Sequence, residues 1–143
     1  MATRYYKLEP EVPGGMGDNT IADMSVHPPK VTELHLEIYG WLGDDLLETF
    51  PCFIVTKSLG DALRASKLNG YSLSAFLVTR SNEFEELYPD KVLPEFLWLR
   101  PHGRIGQDDL CTLTDATLVA SEGAVALFRL HNIANCEMAQ IDA

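Results

Sequence analysis

Two segments of the chain match each other without a gap: residues 53–73 align with residues 118–138 at a constant shift of 65. The following pairs then coincide: Ile54 with Val119, Thr56 with Ser121, Leu63 with Phe128, Arg64 with Arg129, and Leu68 with Ile133. Each segment has the pattern of a short buried strand, a capped helix and a second strand. The match therefore predicts that one structural unit occurs twice in the chain.

A glycine-rich element with two adjacent aspartates precedes each segment. The two elements read Gly40-Trp41-Leu42-Gly43-Asp44-Asp45-Leu46 and Gly103-Arg104-Ile105-Gly106-Gln107-Asp108-Asp109-Leu110. Gln107 is the one inserted residue. Because any two strand–helix–strand units share a hydrophobic pattern, a chance similarity of two generic units is the alternative to a duplication.

These observations predict an α+β fold in a single domain, since 143 residues are typical of one core. The domain should contain two similar strand–turn–strand–helix–strand units joined by a short acidic helix near Glu83–Leu87. The expected boundaries are an N-terminal arm over 1–30, a first unit over 31–75, a linking segment over 76–93 and a second unit over 94–141.

Local patterns predict the individual elements. Val31–Tyr39 alternates as one half-buried strand, with Leu34, Leu36 and Ile38 on the apolar face and Glu33, His35 and Glu37 on the polar face. Tyr71–Arg80 is expected to form another single strand, and Glu122–Asn132 a helix. Thr56 or Ser58 caps the first helix, with Asp61 completing a capping box, and Ser81 and Ser121 cap the other two helices.

Charge and hydropathy restrict the class of protein. A formal charge of −10 argues against nucleic acid or an anionic membrane as the partner, because both require Lys and Arg to neutralise phosphate. No stretch approaches the roughly 18 apolar residues of a membrane span, and the N-terminus has no apolar signal-peptide core. A cytoplasmic location is therefore expected, with reduced cysteines.

No catalytic, cofactor-binding or metal-binding motif occurs in the sequence. Cys52, Cys111 and Cys136 are far apart, and the four histidines have no zinc-site spacing. A Cys136–His131 nucleophile and base pair has no support from spacing. We therefore expect no catalytic residues, no cofactor and no metal site.

The two acidic pairs, Asp44-Asp45 and Asp108-Asp109, have three interpretations. They shape turns and cap helices, beside glycines that supply positive φ; they belong to a charged contact surface; or they bind a divalent cation or act as acid and base. If they contact a partner, the candidate partner-binding residues are Asp44, Asp45, Glu83, Glu85, Glu86, Asp108, Asp109 and Trp41. Trp41 and Trp98 are otherwise expected to pack in the core.

Several stretches are similar to a family of small bacterial proteins of poorly known function. They are Tyr5-Tyr6-Lys7-Leu8, Trp41-Leu42-Gly43-Asp44-Asp45-Leu46-Leu47-Glu48, Phe50-Pro51-Cys52-Phe53-Ile54-Val55-Thr56 and Leu93-Pro94-Glu95-Phe96-Leu97-Trp98-Leu99. The order of strand, Val-Thr cap and helix ending in Leu68-Asn69-Gly70 resembles immunity proteins of bacterial polymorphic-toxin systems. These motifs are turns and caps rather than catalytic residues.

The resemblance implies a non-catalytic cytoplasmic protein that binds and neutralises a cognate protein toxin. An acidic inhibitor gains association rate when its partner is basic, so a basic toxin is the expected partner. Two alternatives remain at this stage: an adaptor or structural module, with a homo-oligomer allowed, and a metal-dependent enzyme that uses Asp44/Asp45 and Asp108/Asp109.

Overall fold

The fold combines small sheets with three short helices in a computed structural model that describes residues 4–141. The strands are β1 (Tyr5–Glu9), β2 (Gly14–Met16), β3 (Ile21–Asp23), β4 (Lys30–Glu33), β5 (His35–Ile38), β6 (Leu46–Thr49), β7 (Cys52–Thr56), β8 (Tyr71–Ser74), β9 (Leu77–Arg80), β10 (Phe96–Pro101), β11 (Leu110–Thr112), β12 (Leu118–Ser121) and β13 (Glu137–Ile141). The helices are α1 (Lys57–Ala65), α2 (Asn82–Leu87) and α3 (Glu122–Arg129).

Two four-stranded antiparallel sheets form the larger part of the domain. Their strand orders are β11-β12-β1-β13 and β6-β7-β10-β8. Helix α1 follows β7 directly, and α3 follows β12 in the same way. The mixed α+β class predicted from the sequence is confirmed, in a single small domain.

Strands β2 to β5, together with β9, form two smaller sheets. A three-stranded sheet has the order β2-β5-β9, in which β5 and β9 are parallel, and β3 pairs with β4 in a separate ribbon. Within residues 4–141 no helix is long and apolar enough to cross a membrane.

The main hydrophobic cluster lies where α1 and α3 cover the two large sheets. Leu63 of α1 and Phe128 of α3 are fully buried in it, as their shared position in the alignment predicts. A hydroxyl residue caps the N-terminus of each of these two helices: Thr56 Oγ1 accepts the Leu59 N–H, and Ser121 Oγ accepts the Ala124 N–H. The predicted Ser58–Asp61 capping box is wrong, because Asp61 binds Lys57 at 2.7 Å instead.

A second cluster fills the space between the small sheet and β6, β7 and β10. Its members include Leu34, Leu36, Ile38, Phe84 and Trp98. The apolar face predicted for Val31–Tyr39 is therefore buried as expected. Trp98 is buried, as predicted for a core tryptophan.

His35 departs from its predicted polar, solvent-facing position. It is buried, with Nε2 2.6 Å from the Thr79 hydroxyl and Nδ1 accepting the Asn19 N–H at 3.2 Å. The segment around Gly17 packs closely against the His35 ring and so buries this one position of the polar face, while Glu37 on the same face stays partly exposed. The predicted single strand is also divided at Leu34 into β4 and β5.

Two other predicted elements have different bounds. Tyr71–Arg80 is divided because β8 joins β10 in one sheet while β9 joins β5 in another, with Phe76 between them packed against the second cluster. Helix α3 ends at Arg129 rather than at Asn132. The Asn132 N–H donates to Asp45 Oδ2 instead of continuing the helix.

Candidate functional site

The first acidic pair lies inside the domain. Asp44 is fully buried, and its carboxylate accepts the N–H of Asn135 at 2.8 Å and the Asn135 side-chain amide at 2.9 Å. Asp45 accepts the Thr56 hydroxyl at 2.6 Å and the Asn132 N–H at 2.7 Å. These two carboxylates therefore bind the chain that follows α3 to the start of α1.

The second acidic pair makes similar internal contacts. Asp109 accepts the Ser121 hydroxyl at 2.6 Å and the Asn69 N–H at 3.0 Å, while Asp108 accepts the Arg104 N–H at 2.7 Å. Glycine supplies a positive φ in each preceding turn, at Gly43 (106°) and Gly106 (94°). All four aspartates thus make contacts within the domain. In each pair the second aspartate accepts the hydroxyl that caps the next helix along the chain: Asp45 accepts that of Thr56, and Asp109 accepts that of Ser121.

The described residues hold no group of three or more His, Cys, Asp and Glu side chains that could bind a metal ion. Burial raises the pKa of the cysteine thiols, to about 12 for Cys52 and about 11 for both Cys111 and Cys136. A thiol with such a pKa stays protonated at neutral pH and is a poor nucleophile. All three are free cysteines; Cys52 and Cys111 are buried and Cys136 is half-buried.

Helix α2 presents the predicted glutamates to solvent. Ser81 Oγ accepts the Phe84 N–H at 3.0 Å and so caps the helix, and the fully buried Phe84 ring holds it against the second cluster. The other side chains of the helix are exposed to solvent. Glu83, Glu85 and Glu86 are all exposed.

A groove of about 720 Å³ lies beside α2. Three segments form it: residues 11–14 after β1, residues 39–42 after β5 and residues 88–91 after α2. We call it the Trp41 groove; it is lined by Glu11, Val12, Pro13, Gly14, Tyr39, Gly40, Trp41, Leu42, Tyr88 and Lys91. Leu42 and Val12 are 71% and 66% exposed, and Tyr39 and Tyr88 are about half exposed. Four large apolar side chains therefore meet solvent in one place.

The floor of the Trp41 groove is held by hydrogen bonds. The buried Glu11 carboxylate accepts the N–H of Leu42 at 2.6 Å and of Asp44 at 3.2 Å. Desolvation raises the pKa of Glu11, and these two hydrogen bonds oppose the shift. The Trp41 indole N–H donates to the Asp44 carbonyl oxygen at 2.9 Å, and this bond fixes the position of the ring.

Lys91 lies near the rings of Trp41 and Tyr88 in the groove. Its ammonium donates to the Trp41 carbonyl oxygen at 2.8 Å and lies 5.7 Å and 5.8 Å from the centroids of the Trp41 and Tyr88 rings. These are cation–π distances. The ammonium therefore stabilises the groove wall.

Negatively charged side chains act on Tyr39 in the groove lining. Interaction with the Glu37 carboxylate raises the pKa of Tyr39, and the negative charges of Glu83 and Asp18 raise it further. Helix α2, which carries the exposed Glu83, Glu85 and Glu86, leads directly into Tyr88 of the groove lining. The rim carries negative charge beside exposed apolar surface.

Of the residues predicted to contact a partner, Trp41 lines this groove, and Glu83, Glu85 and Glu86 lie on α2, the helix that leads into Tyr88 of the lining. Sequence reasoning missed Val12, Tyr39, Leu42, Tyr88 and Lys91. For Val12, Tyr39, Leu42 and Tyr88 the only local signal is a large apolar residue next to Pro or Gly, which is equally typical of a core position, and Lys91 has no local signal.

Comparison with protein-family models, with curated proteins and with solved structures found no match.

Proposed function

We propose that this chain is a non-catalytic binding protein that neutralises a cognate bacterial toxin by covering part of its surface. The observation that carries the proposal is the Trp41 groove beside the acidic face of α2. Aromatic residues and exposed apolar side chains in one concave area are typical of protein interfaces. The sequence resemblance to immunity proteins supports the same class of function.

Charge supports a basic protein as the partner. The chain carries a formal charge of −10, and α2 contributes three exposed glutamates next to the groove. Such a field accelerates encounter with a positively charged surface and repels nucleic acid. The fixed groove then supplies the apolar contact that slows dissociation.

Co-expression with the product of the neighbouring reading frame tests this function. We expect the chain to restore growth to cells that produce that protein and to elute with it as one complex in size-exclusion chromatography. Restoration without a complex would contradict inhibition by binding. A complex without restoration of growth would favour the adaptor alternative.

We infer further that the scaffold consists of two copies of one unit, with the first strand of each copy placed in the sheet of the other. One copy comprises β1, β6, β7, α1 and β8, and the other comprises β10, β11, β12, α3 and β13. On this interpretation β2 to β5 are an insertion in the first copy, and β9 with α2 links the copies.

Strand registers support this duplication. Leu99 of β10 lies between Phe53 and Leu73, and Leu8 of β1 lies between Leu118 and Met138. Phe53 and Leu73 are the residues that the alignment sets against Leu118 and Met138. β1 and β10 also share an aromatic residue, a leucine and a proline at equal spacing, in Tyr5-Tyr6-Lys7-Leu8-Glu9-Pro10 and Phe96-Leu97-Trp98-Leu99-Arg100-Pro101.

A strand transplant tests the equivalence of β1 and β10. The full chain is prepared with residues 5–10 replaced by the sequence of 96–101, and a control carries the same six residues in reverse order. We expect the transplant to unfold at a higher urea concentration than the control, because its apolar side chains fall on the correct face. Equal midpoints would contradict the duplication.

A further inference from the structure

We propose that the Trp41 groove binds one apolar side chain of a basic segment in the partner protein, with the flanking Lys or Arg residues of that segment paired to the acidic rim. The inference rests on the proposed function, since it assigns the contact by which the partner is recognised. It adds the chemistry of the occupant: an aromatic or long aliphatic side chain with positive charge on either side.

The apolar part of the occupant follows from the groove lining. Val12 and Leu42 project into solvent on one side, and the faces of Tyr39 and Tyr88 are about half exposed. When another apolar group covers surface of this kind, that surface is removed from water and the free energy of the system falls. An aromatic anchor fits best, since aromatic side chains contribute most of the binding energy at protein interfaces.

The positive flanks follow from charge complementarity. The exposed Glu83, Glu85 and Glu86 lie on α2, which leads directly into Tyr88 and Lys91 of the groove lining. Two cations nearby are already engaged: Lys91 donates to the Trp41 carbonyl oxygen and lies near the Trp41 and Tyr88 rings, and Arg80 donates to the Lys91 carbonyl oxygen at 3.1 Å and lies 5.6 Å from the centroid of the Phe84 ring. The charge available to a ligand at this rim is therefore negative. Lys or Arg beside the anchor would pair with these carboxylates, while an acidic segment would be repelled.

The groove is already ordered for such a ligand. Glu11 fixes the backbone at Leu42 and Asp44, and the Trp41 ring meets the Phe96 ring edge-on with centroids 6.0 Å apart. Little conformational entropy is then lost when the groove is filled, which favours binding.

Titration with short peptides tests the occupant directly. The probes are Lys-Lys-Trp-Lys-Lys, Glu-Glu-Trp-Glu-Glu and Lys-Lys-Ser-Lys-Lys, blocked at both ends, added to the ¹⁵N-labelled full chain. With the first peptide only, we expect saturable chemical-shift changes at the backbone amides of Tyr39, Trp41 and Leu42 and at the Trp41 indole N–H. The affinity for this peptide should fall as the ionic strength rises toward about 0.15 M. Equal binding of the acidic or the serine peptide, or shifts located elsewhere, would overturn the proposal.

Two variants and a matched control complete the test. Leu42→Ser and Val12→Ser should each weaken binding of the first peptide about fivefold or more. Leu130→Ser, at an 81% exposed position after α3, should leave it unchanged. Concentration-dependent signal broadening at the groove without peptide would instead identify a second copy of the chain as its occupant and overturn the proposal.

The same variants separate this inference from the proposed function. If the parent chain binds and neutralises its toxin, but Leu42→Ser and Val12→Ser do so with unchanged affinity, the groove inference fails and the proposed function stands. If the first peptide binds as expected and the chain does not bind the neighbouring product, the proposed function fails and the groove chemistry stands.

Discussion

Asp45 and Asn132 bind each other through two reciprocal hydrogen bonds: the Asp45 N–H donates to the Asn132 carbonyl oxygen at 2.7 Å, and the Asn132 N–H donates to Asp45 Oδ2 at 2.7 Å. Asp109 and Asn69 make a matching pair, in which the Asp109 N–H donates to Asn69 Oδ1 and the Asn69 N–H donates to Asp109 Oδ2, both at 3.0 Å. Each aspartate thus joins the loop after one helix to the cap of the other.

Removing one of these carboxylates should destabilise the whole domain. Asp45→Ala leaves the Thr56 hydroxyl and the Asn132 N–H without their acceptor, which costs about 1–3 kcal/mol of unfolding free energy. Urea denaturation followed by circular dichroism measures the change. Asp90→Ala, at an exposed position, is the control, and an equal midpoint for both variants would contradict the structural role of Asp45.

Two glycines with positive φ should respond differently to alanine. Gly106 (94°) has open space around its missing Cβ, so Gly106→Ala should cost only the backbone strain of about 1–2 kcal/mol. At Gly70 (86°) a Cβ would lie 2.6 Å from the Leu110 carbonyl oxygen. Gly70→Ala should therefore lower the thermal midpoint further than Gly106→Ala, and the reverse order would be inconsistent with this close approach.

Truncating the two helix anchors should create cavities in the main cluster. Leu63→Ala and Phe128→Ala should each lower the free energy of unfolding by about 2–5 kcal/mol, because both side chains are fully buried. The exposed Leu130→Ala is the matched control. Unchanged denaturation midpoints for both core variants would disprove the assignment of these helix faces.

If the proposed function holds, charge reversal on α2 should slow the association of the chain with its toxin. Glu83→Lys, Glu85→Lys and Glu86→Lys together should lower the association rate and flatten its salt dependence, with little effect on folding. Reversal of the exposed Glu33, Glu95 and Glu137 gives the same change in net charge away from α2 and should have a smaller effect. Stopped-flow association across salt concentrations separates the two, and equal rates would show that α2 is not the steering surface.

Stability should depend on pH through Glu48. Desolvation raises its pKa in the folded protein, and the charge of Glu9 raises it further. Because the folded state binds this proton more tightly than the unfolded state, the stabilising contribution is complete below the unfolded pKa and is lost as pH rises through the folded pKa. Glu48→Gln should therefore raise the thermal midpoint at pH 7 more than at acid pH, and Glu95→Gln is the exposed control.

The sequence by itself determined the local features. Hydroxyl residues followed by apolar residues at helical spacing identified the caps at Ser81 and Ser121 and limited the first cap to Thr56 or Ser58, because capping is a contact within one turn of chain. The same spacing identified Leu63 and Phe128 as core residues. The acidic residues of α2 were also recognised, since their exposure depends only on the periodicity of a short helix.

The tertiary structure alone decided the contacts between distant segments. No local pattern indicates that Asp45 binds Asn132, that His35 is buried, or that β1 lies between β12 and β13. The groove follows the same rule, because its walls come from residues 11–14, 39–42 and 88–91, which are far apart in the chain. An apolar residue has the same hydrophobicity whether it is buried or exposed, and only the packing of these three segments leaves Leu42 and Val12 in solvent.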